Sequence, residues 1–176
     1  MWSNWRKCYP LKLELIPIIL VFFSFYIALS NYSALPDSIP IHFDALGNPD
    51  SSGNKGWVLL IPIISAANFL GLTLINFLFA IVDDPRHFIN LPRGRSAMDV
   101  LTREQGETVR VSINRGIFAL KIVTLSLEAY LTWQMVEIGL GRSSSMGPWL
   151  WFFAGAILII CIYMVWKSIR FTRTPA

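Results

Sequence analysis

Four long apolar runs, separated by polar segments, dominate the hydrophobic pattern of the chain. They cover residues 13–31, 57–82, 116–138 and 149–168. A bilayer core of about 30 Å needs about 20 mostly apolar residues in a helix, so each run is long enough to cross it. The pattern predicts an all-α integral membrane protein, a bundle of four transmembrane helices with a structured outer loop between helices 1 and 2. No internal repeat divides the sequence, and we expect residues 1–176 to form one membrane domain.

The first apolar run also fits a second interpretation. Arg6, Lys7 and Lys12 precede it, and the small residues Ala28 and Ser30 stand at its far end, as in a secretory signal peptide. The run is longer than the apolar region of most signal peptides, which favours a retained span.

Composition agrees with a membrane location. Hydrophobic residues make up 54% of the chain and charged residues 15%, whereas soluble domains have about 45–50% apolar and about 25% charged residues. The formal net charge is +4, and a positive charge is also typical of nucleic-acid-binding proteins. The positions of the charges along the chain decide between that interpretation and membrane insertion.

Twelve of the fifteen Lys and Arg residues fall on one side of the predicted spans. Because positive residues near span ends stay in the cytoplasm, we expect a multi-pass protein of the plasma membrane with cytoplasmic N- and C-termini. Membrane insertion and attraction to anionic lipid explain the basic excess, so the lipid bilayer is an expected partner and nucleic acid is not. The twelve residues are Arg6, Lys7, Lys12, Arg86, Arg93, Arg95, Arg103, Arg110, Arg115, Lys167, Arg170 and Arg173.

The outer loop, residues 33–56, is rich in Pro, Gly, Asp, Asn and Ser. Loops this long without regular structure are usually functional or disordered. Apolar and polar residues alternate from Ile39 to Asp44, which is typical of an extended strip that can lie on a membrane surface. Turn-forming residues at 47–50 and 51–54 predict that the loop folds back on itself.

The cytoplasmic basic segment, residues 83–115, holds six arginines. Within it, Thr102 and Gln105 have the spacing of a capping box, in which the two side chains satisfy the first backbone groups of a helix. We expect a helix to begin near Arg103 and to continue into span three without a break.

Span three contains two ionisable residues, Lys121 and Glu128, seven positions apart and so on nearly the same helical face. A charge at mid-membrane costs about 3 kcal/mol on insertion scales, so Glu128 must be protonated, paired or hydrated, while Lys121 can extend toward the inner surface. Two interpretations stay open: a proton or ion relay or polar ligand site, and hydrogen bonds that hold helices together. Span two adds a stripe of Ser65, Asn68 and Asn76, and we expect Asn68 or Asn76 to pair with Glu128.

Patterns for catalysis or metal binding are missing from the sequence. Residues 48–53 resemble the first half of a calcium loop, but its twelfth position is Leu59, where a bidentate Glu is required. His42 and Asp44 alone are too few ligands for zinc. No nucleophile with a base, glycine-rich phosphate loop or catalytic carboxylate pair occurs. We therefore expect a non-enzymatic protein with no catalytic residue, metal or cofactor.

The outer loop has a specific residue pattern: Leu35-Pro36-Asp37-Ser38-Ile39-Pro40-Ile41-His42-Phe43-Asp44, then Gly47-Asn48-Pro49-Asp50 and Gly53-Asn54-Lys55. With this pattern the chain resembles a bacterial multi-pass membrane family that contains domain of unknown function 1648. Residues 84–92 and 120–141 are also similar to that family, so the likeness covers about residues 10–145. The chain departs from the family at residues 89–91 and at Ser52.

The same loop pattern occurs in the N-terminal part of larger immunity proteins that protect sporulating bacilli from a secreted peptide toxin. The resemblance implies an outward-facing recognition loop, but an activity does not transfer with a fold. The loop positions that it implies are His42, Asp44, Gly47, Pro49, Asp50 and Lys55.

These observations support three functional hypotheses. In the first, the outer loop senses or neutralises an extracellular ligand such as a peptide, while the arginine-rich segment contacts a cytoplasmic protein partner or lipid. In the second, the chain is a small transporter or transporter subunit that uses Glu128 and Lys121. In the third, it is a structural membrane subunit whose polar residues only hold helices together.

Overall fold

The computed structural model describes residues 11–89 and 96–173. Within them, four helices are long and apolar enough to cross a membrane. The four helices are α1 (Leu15–Asn31), α2 (Leu60–Ile81), α3 (Arg103–Gly139) and α4 (Trp149–Arg173). The predicted all-α membrane bundle is confirmed, and the chain is a multi-pass membrane protein.

Most large apolar side chains of the bundle point outward instead of into a core. Phe22 of α1, Leu70 of α2 and Ile159 of α4 are each more than 60% exposed. In water such a surface would aggregate, but in a bilayer lipid tails cover it at no cost. The bundle therefore needs polar contacts and close packing between helices to define its structure.

Helix α3 lies at the centre of the bundle, because it packs against each of the other three long helices. It begins at Arg103, and both hydrogen bonds of the predicted capping box form between Thr102 and Gln105. It continues unbroken through the third span, as the sequence predicted. Helix α4 packs mainly against α3, and none of its residues from Trp149 to Lys167 is buried.

Between α1 and α2 the loop forms a β-hairpin. Strand β1 (Ser38–Phe43) pairs antiparallel with β2 (Pro49–Asn54), and a short 3₁₀ helix (Lys55–Leu59) leads into α2. The prediction that the loop folds back is confirmed, but the turn predicted at 51–54 is wrong, because these residues belong to β2. Register shifts on both sides of His42 also interrupt the simple alternation of faces.

One apolar cluster holds the hairpin on the bundle, at what we call the hairpin end. Ile39 of β1 is fully buried there, together with Ala28 of α1 and Val136 of α3. Gly139 at the end of α3 allows this approach, because a Cβ atom there would lie 2.9 Å from Leu35 Cδ2 and 3.2 Å from Ile39 Cγ2. The hairpin is thus part of the folded core and not a free loop.

The opposite end of the bundle, which we call the arginine end, uses several of its arginines within the chain. Arg110, only 3% exposed, donates to Ala80 O at 3.0 Å and to Glu107 Oε1 at 2.9 Å, and so satisfies a carbonyl in the last turn of α2. Arg86 pairs with Asp84 at 2.6 Å, and this hydrogen-bonded ion pair holds the pKa of Asp84 well below its usual range. These arginines stabilise the fold of the arginine end. Arg6, Lys7, Arg93 and Arg95 lie outside the described residues.

Candidate functional site

The turn of the hairpin is built around Asp44. Its Oδ1 atom accepts hydrogen bonds from the backbone nitrogens of Leu46 and Asn48, both at 2.8 Å, and its Oδ2 atom accepts one from Asn48 Nδ2 at 3.3 Å. The backbone N–H of Asn48, followed by the other donors, lowers the pKa of the Asp44 carboxyl below its ordinary value. Asp44 therefore shapes the turn, and its carboxylate is largely occupied by the loop itself.

We expect acid to loosen this turn. Because the pKa of Asp44 is lowered by folding, the ionised carboxylate stabilises the turn at pH values above the ordinary value of 3.8, and this stabilisation is lost as the pH falls through the folded-state pKa. Amide hydrogen exchange at Leu46 and Asn48, corrected for intrinsic rates, should rise several-fold as the pH is lowered below that value.

Two variants check the assignment of that pH response. Asp44→Asn should speed exchange at neutral pH and remove the response. Asp37→Asn changes a carboxylate that pairs with Lys55 at the base of the hairpin and does not contact the turn, so exchange at Leu46 and Asn48 and its pH response should stay unchanged. Equal protection in Asp44→Asn and the wild-type protein at neutral pH would contradict the role given to Asp44.

Gly47 joins the hairpin to the loop between α3 and α4 (residues 140–148), which we call the second loop. It adopts a φ of +83°, its carbonyl accepts from Met146 N at 2.8 Å, and a Cβ atom there would lie 3.0 Å from Met146 Cβ. The second loop is held in turn by α3, since Tyr130 donates to Met146 O and Gln134 donates to Ser145 O. Glycine is thus required by both backbone conformation and close packing.

Lys55 fixes the base of the hairpin. Its Nζ atom lies 3.0 Å from Asp37 Oδ1 and 5.6 Å from the centre of the Tyr32 ring, so it links the start of the hairpin and the end of α1 to the entry of α2. Asn54 caps the following turn by accepting from Gly56 N.

His42 and Asp50 face each other across the hairpin on its exposed side. Their side chains are 70% and 44% exposed, and His42 Nδ1 lies 2.5 Å from Asp50 Oδ1. Pro49, at the start of β2, is also exposed. Of the six loop positions, Asp44, Gly47 and Lys55 are therefore engaged in shaping the hairpin, while His42, Pro49 and Asp50 present atoms to the surroundings.

The second candidate region is the contact between α2 and α3 inside the bundle. Asn68 Nδ2 donates to Glu128 Oε1 at 2.9 Å and lies 3.4 Å from Thr124 Oγ1. This is one of the two pairings that the sequence predicted for Glu128. Asn76 instead donates to Asn114, at 3.0 Å to the side-chain oxygen and 3.1 Å to the backbone oxygen.

Lys121 does not extend to the inner surface, so that expectation is wrong. It is fully buried, and its Nζ atom lies 2.5 Å from Glu14 Oε1 of the turn preceding α1 and 3.0 Å from Thr73 Oγ1 of α2. The rings of Phe69 and Phe118 lie beside the ammonium group at 5.6 and 5.4 Å. A nearby opposite charge makes burial less costly than stretching the side chain to water.

Sequence reasoning missed Glu14 and Asn114 as functional or structural candidates. A signal for Asn114 was present, because Asn114, Lys121 and Glu128 follow one another at intervals of seven and so share a helical face. For Glu14 the signal was a single acid at the edge of an otherwise uncharged span, which requires a cationic partner nearby. Among the described residues, no group of three or more His, Cys, Asp or Glu side chains is arranged to hold a metal ion.

The fold defines a class: a four-span helical membrane protein with a β-hairpin docked between its first two spans. Residues 19–66, which contain most of α1, the hairpin and the start of α2, match the family described as "Domain of unknown function (DUF1648)". The resemblance noted in the sequence is confirmed over these residues, a narrower stretch than residues 10–145.

A relative from Archaeoglobus fulgidus, described as "Uncharacterized protein", is 36% identical over 83 residues. The aligned stretch covers 47% of this chain and 44% of the relative, so the chain spans less than half of that protein's length. No solved structure matches the chain.

Proposed function

We propose that this protein is a non-enzymatic receptor of the plasma membrane, with a sensing or immunity-type role, whose hairpin recognises an extracellular peptide. The observation that supports it best is the division of labour within the hairpin. Ile39 is fully buried and fixes the hairpin on the bundle, whereas the His42–Asp50 pair is left exposed on its far side. A fixed scaffold that presents a few polar side chains is the usual design of a recognition surface.

The charges at the hairpin end favour a cationic peptide as the ligand. The hairpin and its flanks contain three aspartates, Asp37, Asp44 and Asp50, against one lysine, Lys55, and a histidine. An excess of negative charge attracts cationic partners and speeds their association. With the hairpin end outside and the arginine end in the cytoplasm, as the positive-inside rule predicts, such a ligand would arrive from the extracellular side.

A route from the hairpin into the bundle also exists. The hairpin contacts the second loop through Gly47 and Met146, and that loop is hydrogen-bonded to α3 by Tyr130 and Gln134. Helix α3 continues to the arginine end, where Arg115 is exposed and would face a cytoplasmic protein or lipid partner. A ligand that shifts the hairpin would therefore act directly on the central helix.

The test measures the survival of cells exposed to a panel of secreted cationic amphipathic peptides. Cells that lack the protein are compared with cells that express it intact, as His42→Ala, or as Asp50→Asn, at matched membrane levels. We expect the intact protein to protect and both variants to lose most of the protection, because they remove the exposed pair and leave Asp44 and Ile39 in place.

Ser52→Ala is the matched control. Ser52 is exposed on the same strand as Asp50, and it is not among the residues whose hydrogen bonds to Asp44 shape the turn. It should protect as well as the wild-type protein. Full protection by both His42→Ala and Asp50→Asn, or no protection by the intact protein against any peptide of the panel, would refute the recognition role.

A further inference from the structure

The α2–α3 contact carries a row of polar pairs on the arginine side of Glu128. On α3 it contains Asn114, Lys121 and Glu128, spaced about 10 Å apart along the helix axis. On α2 their hydrogen-bond partners are Asn76, Thr73 and Asn68. We use "polar seam" for these six residues.

Three buried atoms of the polar seam have no hydrogen-bond partner among the described residues. They are Asn76 Oδ1, Asn114 Nδ2 and Glu128 Oε2. Asn76 and Asn114 form the pair of the polar seam nearest the arginine end, and Glu128 lies at its opposite end. Buried donors and acceptors left by a protein in this way are normally satisfied by internal water, which needs two to four polar partners.

The hairpin side of Glu128 is different in character. The next buried residues of α3 are Ala129 and Thr132, and the Thr132 hydroxyl donates to Glu128 O of its own helix. Beyond them lie Met135 and Val136, packed with Leu35 and Ile39 in the apolar cluster under the hairpin. Gln134, a polar side chain buried at this level of α3, has its amide bound to Ser145 O and Met146 O. An apolar layer of this kind is a barrier to water and to protons.

We propose that the Glu128 carboxyl is a proton-binding site that exchanges with water along the polar seam from the arginine end and is sealed from the hairpin end. The proton passes between water and a carboxyl oxygen, and no other bond changes. Proton binding at Glu128 does not require a ligand at the hairpin, so this proposal and the proposed recognition role can fail independently.

Few other charges face this site. Helix α2 presents the neutral Asn68 and Ser65, and neither α1 (Leu15–Asn31) nor residues 149–166 of α4 contain a charged side chain. The nearest charged groups along α3 are Lys121 and its partner Glu14, which compensate each other at 2.5 Å. The fraction of Glu128 carboxyls that carry a proton should therefore follow the pH at the arginine end.

The full chain in lipid vesicles is labelled with dicyclohexylcarbodiimide, an apolar reagent that enters the bilayer. A protonated carboxyl adds across one C=N bond of the carbodiimide, and the O-acylisourea rearranges to a stable N-acylurea without a leaving group. Mass spectrometry of the peptide that contains Glu128 gives the labelling rate. Trypsin added outside cuts the arginine end only in molecules where that end faces outward, which separates the two orientations.

Raising the pH at the arginine end should slow the labelling of Glu128 by about tenfold per pH unit once the carboxyl ionises. Raising it only at the hairpin end should leave the rate unchanged. Labelling that follows the pH at the hairpin end, or responds at neither end, would overturn the proposal. Glu128→Gln must remove the adduct from that peptide, which assigns the signal.

Asn114→Leu and, as a second variant, Asn76→Leu replace one seam residue each by an apolar side chain. After a pH jump at the arginine end, both should reach the new labelling rate at least several-fold more slowly than wild type. Ser24→Ala is the control, because Ser24 is fully buried on α1, outside the polar seam, and its hydroxyl donates to Leu20 O of its own helix. A response of both seam variants as fast as that of Ser24→Ala would refute the hydrated path.

Discussion

Lys121→Met should lower the free energy of unfolding by about 3–5 kcal/mol, the usual cost of removing one partner from a buried ion pair. The ammonium group is fully buried, and its partner Glu14 has a side chain only 10% exposed. Methionine keeps most of the apolar stem but leaves the Glu14 carboxylate without its cation. The thermal midpoint in detergent, followed by tryptophan fluorescence, should fall clearly.

Two further variants separate loss of the ion pair from general damage. Glu14→Gln combined with Lys121→Met leaves no unpaired charge, and most of the lost stability should return. Lys167→Met is the matched lysine control on α4, where Lys167 lies beside the Tyr163 ring and is only half-buried, so its effect should stay within about 0.5 kcal/mol. Equal midpoints for Lys121→Met and Lys167→Met would show that the pair contributes little.

Ile39→Ala should detach the hairpin from the bundle. Ile39 is fully buried in the apolar cluster at the hairpin end, and truncating such a side chain costs about 2–5 kcal/mol through lost contacts and a residual cavity. The cost falls on docking of the hairpin, because α1, α2 and α3 keep their own contacts. Limited proteolysis at residues 44–48 should become much faster in nanodiscs, with helix content by circular dichroism little changed.

Ile41→Ala is the matched control for this prediction. Ile41 is the same residue type two positions further along β1, but it is 37% exposed and packs over Gly53 within the hairpin itself. It should raise the proteolysis rate far less than Ile39→Ala. Similar rates for the two variants would mean that burial of Ile39 does not hold the hairpin in place.

Two contacts, one toward each end of the bundle, hold its elements together. The ion pair links α1, α2 and α3 at the arginine side of the bundle, and the Ile39 cluster links the hairpin, α1 and α3 at the other. Between these two contacts lie Glu128 and Asn68. The relay proposed from sequence between Lys121 and Glu128 gains no direct support, because each residue has its partner on a neighbouring helix and not in the other.

The sequence by itself determined the elements that depend on local pattern. Four apolar runs are sufficient for four spans, since bilayer thickness sets helix length. The start of α3 at Arg103 was predictable because a capping box acts within one turn. The pairing of Glu128 with Asn68 was predictable to within two candidates, because a carboxyl at mid-membrane needs a polar partner and span two offered few.

The tertiary structure decided everything that depends on which surfaces meet. Only the packing of α1 beside α3 brings Glu14 to Lys121, residues 107 positions apart, and so turns an expected surface lysine into a buried one. The second strand was missed because Ser, Gly and Asn usually form turns, yet pairing with β1 extends residues 49–54. The same docking leaves Asp44 engaged in its own turn and His42 exposed, a distinction that spacing along the chain cannot make because both follow one alternating strip.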